Sequence, residues 1–98
     1  MTRLATAPKK WTLIYSENAK KNLGQLDKVV KQRIVNFLNN KVIASVNPRT
    51  LGKPLRGKLR SYWSFRVGEH RIISYLEDEK LIVCVVQIGH RREVYKHI

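Results

Sequence analysis

The residues near the carboxyl end of the chain have the types needed for chemistry on a phosphodiester. An apolar run over residues 81–88 leads directly into Gly-His-Arg-Arg-Glu-Val-Tyr at residues 89–95. The imidazole could move a proton, and the guanidinium groups could neutralise charge that builds on an RNA phosphate in the transition state. Candidate site residues of this segment are therefore His90, Arg91, Arg92 and Tyr95.

The charge of the whole chain favours a polyanionic partner. The 98 residues include 20 Lys and Arg against 7 Asp and Glu, which gives a formal net charge of +13, and 43% of the residues are hydrophobic. This length and composition predict a single domain over residues 1–98, with one small core. Nucleic acid, an acidic protein or, less readily, a membrane surface would complement the charge, and composition does not choose among them.

Three classes of protein do not fit this sequence. No stretch is apolar for long enough to span a membrane and the amino end lacks a secretory signal, so we expect a soluble cytoplasmic protein. The single cysteine, Cys84, excludes an intrachain disulfide and is expected to be a small buried side chain. The histidines and the cysteine lack the spacing of metal ligands, and no glycine-rich phosphate loop is present, so we expect no metal and no cofactor.

The amino-terminal half predicts a strand followed by two helices. Residues 1–10 show no periodicity and are expected to form a flexible leader. Residues 11–15 are aromatic or β-branched, as in strands, and Ser16 can then cap a helix that ends near Gly24. Asp27 can cap a second helix, whose apolar residues recur at three-and-four spacing. This helical hairpin must bury its apolar stripe against a sheet.

The carboxyl-terminal half predicts that sheet. Proline and glycine recur at close intervals over residues 44–59, which indicates a loop. Strand-like runs at 62–67 and 70–76 are separated only by a Gly-Glu pair, which is typical of a type II′ hairpin, and residues 81–88 read as an inner strand. The predicted fold class is α+β: an N-terminal strand and a two-helix hairpin on a mainly antiparallel sheet, completed by a C-terminal three-stranded meander.

The tight hairpin turn determines which residues face each other across it. Antiparallel pairing puts Arg66 opposite Arg71, on the same face as Ser64. Like charges in a direct cross-strand pair are destabilising by a few tenths to about 1 kcal/mol. An anion between the two arginines would explain the pair, and so would two side chains that diverge into water.

The same counting extends to the last strand. If residue 76 pairs with residue 81, Val86 lies opposite Arg71 and Gly89 lies beside Gly68. The segment that follows Gly89 would then emerge next to the two arginines. The register therefore predicts that the two basic clusters converge.

Three motifs in this order carry a resemblance to a known family. They are Leu55-Arg56-Gly57 before the meander, Arg66 and Arg71 at the hairpin, and the closing segment at 89–95. With the order of elements, they resemble the RelE toxins of bacterial type II toxin–antitoxin systems over residues 11–95. The resemblance implies a ribosome-dependent endoribonuclease that cuts mRNA in the ribosomal A site by 2′-hydroxyl attack, without a metal or cofactor. It implies the ribosome, mRNA and an acidic, RelB-like antitoxin as partners.

The resemblance also implies roles for individual residues. Arg71 and Arg91 match arginines that hold and neutralise the phosphate, and Arg66 matches a nearby cation. Tyr95 matches a near-terminal tyrosine that stacks on a base or orients proton transfer. His90 stands where relatives carry histidine or lysine and is our acid–base candidate, with a solvent-exposed or structural histidine as the alternative.

One position departs from the pattern. Ser64 stands where well-studied relatives carry a lysine, so one expected cation is missing, and Lys58 or Arg60 from the preceding loop could replace it. The predicted RNA-binding residues are Arg56, Lys58, Arg60, Ser64 and Arg92.

Two other functions are compatible with this fold. ParE toxins share the architecture but bind DNA gyrase and do not cut RNA, and they typically lack the ensemble of His-Arg and Tyr found here. A passive RNA-binding domain would use the same charge without catalysis. The ensemble favours the nuclease.

Overall fold

The computed structural model describes residues 11–90 and Val94. The elements follow in the order predicted, strand, two helices and meander, so the predicted α+β class is confirmed. The predicted leader over residues 1–10 lies outside the described residues. The elements are β1 (Thr12–Tyr15), α1 (Glu17–Gly24), α2 (Lys28–Phe37), β2 (Lys53–Pro54), β3 (Tyr62–Val67), β4 (His70–Glu77) and β5 (Ile82–His90).

Both helices begin at the predicted caps. The hydroxyl oxygen of Ser16 accepts a hydrogen bond from the Ala19 N–H, and the Asp27 carboxylate accepts one from the Val29 N–H. These bonds satisfy backbone donors that have no partner within the helix. After Phe37, α2 continues as one wider, π-helical turn. Neither helix of the described chain is long and apolar enough to cross a membrane.

The described strands form one mixed sheet in the order β1-β5-β4-β3-β2, and among them only β1 pairs in parallel, with β5. The predicted inner position of the last strand is therefore confirmed. The helices cover one face of the sheet and bury the core there. We call the opposite face, which carries Ser64, Arg66, Arg71 and Tyr75, the open face. Core side chains include Trp11, Ala19, Leu23, Ile34, Leu38, Val42, Phe65, Ile72, Leu76, Val83, Val85 and Ile88.

The register between β3 and β4 is the predicted one. Arg66 pairs with Arg71, and Val67 pairs with His70. Gly68 has a φ of +60°, which a type II′ turn requires at its first central position. The two arginines are therefore direct cross-strand neighbours.

The predicted register between β4 and β5 is wrong. Gly89, and not Val86, lies opposite Arg71, and Glu77 pairs with Ile82 at the other end of the ladder. The connecting turn lies one residue later than predicted, over residues 78–81 in place of 77–80, because Leu81 adopts a left-handed backbone with a φ of 54° and belongs to the turn. This conformation is unfavourable for a branched side chain, and it moves the start of β5 by one residue.

One extra residue in β5 changes the second half of that strand. The pairing with β4 shifts by one between Ile73 and Ser74, which leaves Val86 without a partner on β4. Because side chains alternate between faces, this β-bulge directs Ile88 into the core and puts Gly89 on the open face. The bulge therefore brings Gly89 beside Arg71 on that face.

Side chains of α1 and of its N-cap residue hold the outer edge of β5 where β1 has ended. The Val86 carbonyl accepts hydrogen bonds from Ser16 Oγ and Asn18 Nδ2, each at 3.1 Å. The backbone N–H of Ile88 donates to Asn22 Oδ1 at 2.9 Å. These bonds satisfy backbone groups that the bulge and the end of β1 leave unpaired within the sheet.

The predicted loop over residues 44–59 contains an unexpected strand. β2 pairs with β3 through Lys53 opposite Ser64 and Pro54 opposite Trp63. Proline is tolerated here because β2 is an edge strand. A Cβ on Gly52 would lie 2.9 Å from the Ser64 carbonyl oxygen, so glycine permits the close approach of the two chains.

We predict that Asn22→Ala destabilises the protein by about 1–3 kcal/mol, because it leaves the buried N–H of Ile88 without its acceptor. Asn36→Ala is the matched control, since Asn36 is also helical but bonds only to the exposed Gln32 side chain. The gain in helix propensity is the same in both variants. Urea denaturation measures the difference, and equal stabilities of the two variants would contradict the anchoring role of Asn22.

Candidate nucleic-acid interface

A cationic cleft opens on the open face beside the β3–β4 hairpin. Its volume is about 290 Å³, close to the lower end of small-ligand pockets, which begin at roughly 300 Å³. Three of its lining residues are cations and none of the described ones is acidic. The lining residues are Thr50, Leu51, Gly52, Lys53, Ser64, Arg66 and Arg71.

Arg66 and Arg71 form the hairpin side of the cleft. Arg66 is exposed and its Nε donates a hydrogen bond to the Gly68 carbonyl at 3.2 Å, whereas Arg71 is half-buried. Two directly opposed guanidiniums repel each other, and an anion in front of them would remove that cost. Of the predicted catalytic residues, the structure brings these two together, with Ser64 beside them.

His90 does not line the cleft. It ends β5 directly opposite His70, with the two imidazole centroids 5.9 Å apart. Since the neighbouring pair of Arg71 and Gly89 lies on the open face, strand alternation directs both histidines toward the other face. His90 reaches the cleft only around the edge of the sheet.

Val94 lies on the open face. This residue is buried, and a Cβ on Gly89 would meet its Cα and Cβ at 3.5 Å. Val94 therefore packs beside the strand position that faces Arg71. The predicted site residues Arg91, Arg92 and Tyr95 lie outside the described residues.

Three predicted RNA-binding residues lie away from the cleft. Arg56, Lys58 and Arg60 are exposed in the connection that enters β3 at Tyr62. Arg66 is four residues further along β3, which is about 13 Å at the rise of an extended strand. Lys58 and Arg60 are not among the residues that line the cleft with Ser64, and their contacts with RNA stay a prediction.

Two further residues are not among those that the sequence predicts for the site. Lys53 lines the cleft itself, and His70 faces His90. Lys53 was assigned to a loop because of the surrounding proline and glycine residues. The useful signal was Pro54, since a residue that precedes proline favours extended backbone.

An ion pair fixes the segment that leads into β2. Both terminal nitrogens of the Arg49 guanidinium donate hydrogen bonds to the Asp78 carboxylate, at 2.7 and 2.8 Å, and the guanidinium lies 5.6 Å from the Trp63 ring centroid. The hydrogen bond from Arg49 lowers the pKa of Asp78. This contact ties the short 3-10 turn Pro48–Leu51, which precedes Gly52, to the β4–β5 turn.

Other reactive groups of the described chain are poorly suited to catalysis. Burial raises the pKa of the Cys84 thiol, which disfavours the nucleophilic thiolate. Burial also raises the pKa of the Tyr15 phenol. No group of three or more potential metal ligands occurs among the described residues.

Comparison with known proteins places the sequence among toxins. A family profile for the ParE toxin of type II toxin–antitoxin systems, parDE, matches residues 13–95. Toxin RelG of Mycobacterium tuberculosis is 28% identical over 86 residues, which cover 88% of this chain and 97% of the relative. Toxin RelE of the same organism is 30% identical over 78 residues, which cover 80% of this chain and 78% of the relative.

Solved structures share the fold. The toxin–antitoxin complex RelBE2 of M. tuberculosis contains a chain with a TM-score of 0.78 at 26% identity, and the match covers 85% of this chain and all 100% of that chain. A mutant of the E. coli toxin RelE in the free state has a TM-score of 0.68 at 24% identity, with 84% of each chain covered.

The ion pair between Arg49 and Asp78 predicts a pH-dependent stability. Because folding lowers the pKa of Asp78, the pair stabilises the protein at neutral pH, and this contribution is lost as the pH falls through the lowered pKa. Asp78→Asn should therefore lower the melting temperature at pH 7, and the difference from the wild type should shrink in strong acid. Calorimetry from pH 7 to pH 2 measures the two melting temperatures. A difference between them that does not change with pH would contradict its origin in the ion pair.

Proposed function

We propose, from the premise that this chain belongs to the ParE toxin family and is a type II toxin of the RelE/ParE superfamily, that it cuts mRNA on the ribosome. The observation that carries the proposal is the cationic cleft, in which two cross-strand arginines face the same space with no described acid among the lining residues. Such a cleft suits a phosphate that gains charge during reaction. Its three cations come from three adjacent strands of a sheet, which can hold them in fixed positions.

The proposed reaction needs no metal. The 2′-hydroxyl of the RNA loses its proton and attacks the adjacent phosphorus, while the bond from phosphorus to the 5′-oxygen breaks and that oxygen gains a proton. The products are a 2′,3′-cyclic phosphate and a 5′-hydroxyl. Arg66 and Arg71 hold the phosphate and neutralise its charge, and Arg91 is proposed to act with them.

Positioning of the RNA is proposed to supply much of the rate enhancement. The ribosome would hold the A-site codon in line for attack, which removes the entropic cost of aligning the 2′-oxygen, the phosphorus and the leaving oxygen. We therefore expect free RNA to be a poor substrate. Arg56, Lys58, Arg60 and Arg92 are proposed to contact the RNA backbone outside the cleft.

The proton-transfer groups are proposed to come from the end of β5 and beyond it. Tyr95 is a candidate by its family resemblance. His90 is the other candidate, but its register directs it toward the face opposite the cleft. A direct role for His90 requires its side chain to bend around the sheet edge. We therefore propose that the phosphate-holding arginines contribute more to the rate than His90 does.

The partner proposed for the intact system is a RelB-like antitoxin in the cytoplasm, where the ribosomes are. RelBE2 of M. tuberculosis and RelBE of E. coli are toxin–antitoxin complexes with this fold. With a net charge of +13, this chain favours an acidic antitoxin, partly disordered until it binds.

Inhibition of DNA gyrase is the second candidate function, because the matching family profile is that of the ParE toxin. The named relatives RelG and RelE, together with the cleft, favour the nuclease. The two functions are separated by their targets, ribosome-bound mRNA and DNA gyrase.

We predict that brief induction of the protein produces codon-phased mRNA cuts, mapped by primer extension. Arg71→Ala and Arg91→Ala should each reduce cleavage by about 100- to 1000-fold, the usual cost of one transition-state donor. Arg33→Ala is the charge-matched control, since Arg33 is exposed on α2, outside the cleft. His90→Gln should reduce cleavage less than Arg71→Ala does. His70→Gln is the matched control for His90→Gln.

The outcomes discriminate among the candidates. Gyrase inhibition by the purified protein without mRNA cleavage would establish the ParE-like function instead. Cleavage that persists in Arg71→Ala would exclude the cleft as the active site. A loss in His90→Gln as large as in Arg71→Ala, with His70→Gln unaffected, would make His90 the acid–base group.

We predict a tight complex with the product of the neighbouring gene. Charge complementarity should make its affinity fall as salt rises from 50 to 500 mM, which calorimetric titration measures. Co-expression should also relieve growth arrest. A neighbouring product that neither binds nor relieves arrest would contradict the antitoxin assignment.

A further inference from the structure

We propose that Lys53 is a third phosphate-contacting cation of the cleft, which acts from β2 in place of a cation at Ser64 on β3. The inference rests on the function proposed above and adds a residue to the same site. Its basis is the geometry of the short strand β2, which places a lysine in the cleft although residues 44–59 read as a loop.

The register puts Lys53 within reach of the two arginines. Lys53 pairs directly with Ser64, so both side chains lie on the open face. Arg66 is two residues further along β3, which makes it a diagonal neighbour of Lys53 at about 7–8 Å between backbones. The flexible four-carbon stem of lysine can carry its ammonium across this distance. Lys53, Arg66 and Arg71 can therefore face one phosphate from three strands.

The residue opposite Lys53 is small enough to leave the cleft open. Ser64 is 7% exposed and provides no charge. A long side chain at this central position would project into the 290 Å³ volume from its floor. A lysine on the neighbouring edge strand supplies the charge from the side and leaves that volume available to the RNA.

The backbone on both sides of Lys53 is restricted. Gly52 lies so close to β3 that a Cβ would come within 2.9 Å of the Ser64 carbonyl oxygen and 3.0 Å of the Phe65 ring. Pro54 follows, and a residue before proline favours the extended conformation that β2 requires. These two neighbours hold Lys53 in the strand and fix where its side chain starts.

Lys53 is also available to an anion. The ion pairs found among residues 11–90 and Val94 join Lys20 to Glu17, Arg49 to Asp78 and Lys80 to Glu77, and none of them engages Lys53. Its side chain is exposed at the mouth of the cleft. Unlike Arg49, which the Asp78 carboxylate engages, Lys53 has its full charge to offer to a phosphate.

The first test compares cleavage rates of ribosome-bound mRNA. Lys53→Met keeps the length of the side chain and removes its charge, and we expect the rate to fall about 10- to 150-fold, as for loss of a charge-assisted hydrogen bond. Lys53→Arg should retain most of the rate. Lys31→Met makes the same charge change on the exposed side of α2 and should cut like the wild type. Equal rates for Lys53→Met and the wild type would overturn the inference.

The second test does not depend on cleavage. A fluorescent 2′-O-methyl RNA oligonucleotide cannot be cut, since its 2′-oxygens have no proton to lose, and its affinity can be measured as a function of salt. Loss of one phosphate contact should reduce the slope of log K against log salt by about 0.7 in Lys53→Met and leave it unchanged in Lys31→Met.

The two measurements separate the inference from the proposed function. A wild-type protein that does not cut ribosome-bound mRNA, with a reduced slope in Lys53→Met, would refute the nuclease and keep the cation site. A slope for Lys53→Met equal to that of the wild type would overturn the phosphate contact, whether or not the cleavage rate falls.

Discussion

The β-bulge at Val86 is the constraint on which the arrangement of the sheet depends. Without the extra residue, alternation would direct Gly89 into the core and Ile88 onto the open face. With it, Ile88 completes the core and Gly89 leaves room for Val94 beside Arg71. The polar side chains of α1 stabilise the bulge by bonding to the backbone at Val86 and Ile88. Hydrogen bonds from α1 and its N-cap thus support the bulge that puts Gly89 on the open face.

The cleft combines an unfavourable contact with rigid supports. Arg66 and Arg71 repel each other across the β3–β4 ladder, and repulsion of this size is small compared with the burial of Phe65 and Ile72 in the neighbouring pair. The core therefore holds the two guanidiniums together although their charges oppose it. The ion pair between Arg49 and Asp78 similarly fixes the turn Pro48–Leu51, which leads into β2 and lines one side of the cleft.

Local signals in the sequence predicted the local parts of the structure. Ser16 and Asp27 marked the helix starts, and the turn at Gly68 gave the pairing of Arg66 with Arg71. The register of β5 could not be counted in this way, because the later turn at Leu81 shifts the pairing by two residues and the bulge shifts it by one more. Both depend on tertiary contacts that short-range patterns do not contain. The same reason explains why Lys53 was missed, since β2 exists only by pairing with β3.

The parallel pairing of β1 with β5 has a consequence for the order of folding during synthesis. The bond from Ser16 to Val86 spans 70 residues, and among the described strands β1 pairs with β5 alone. The amino-terminal strand and α1 must therefore wait for residues 82–88 to leave the ribosome before they can dock. Contacts of such sequence separation form slowly. β1 and α1 are then made before β5 but find their place on the sheet only after β5 has been translated.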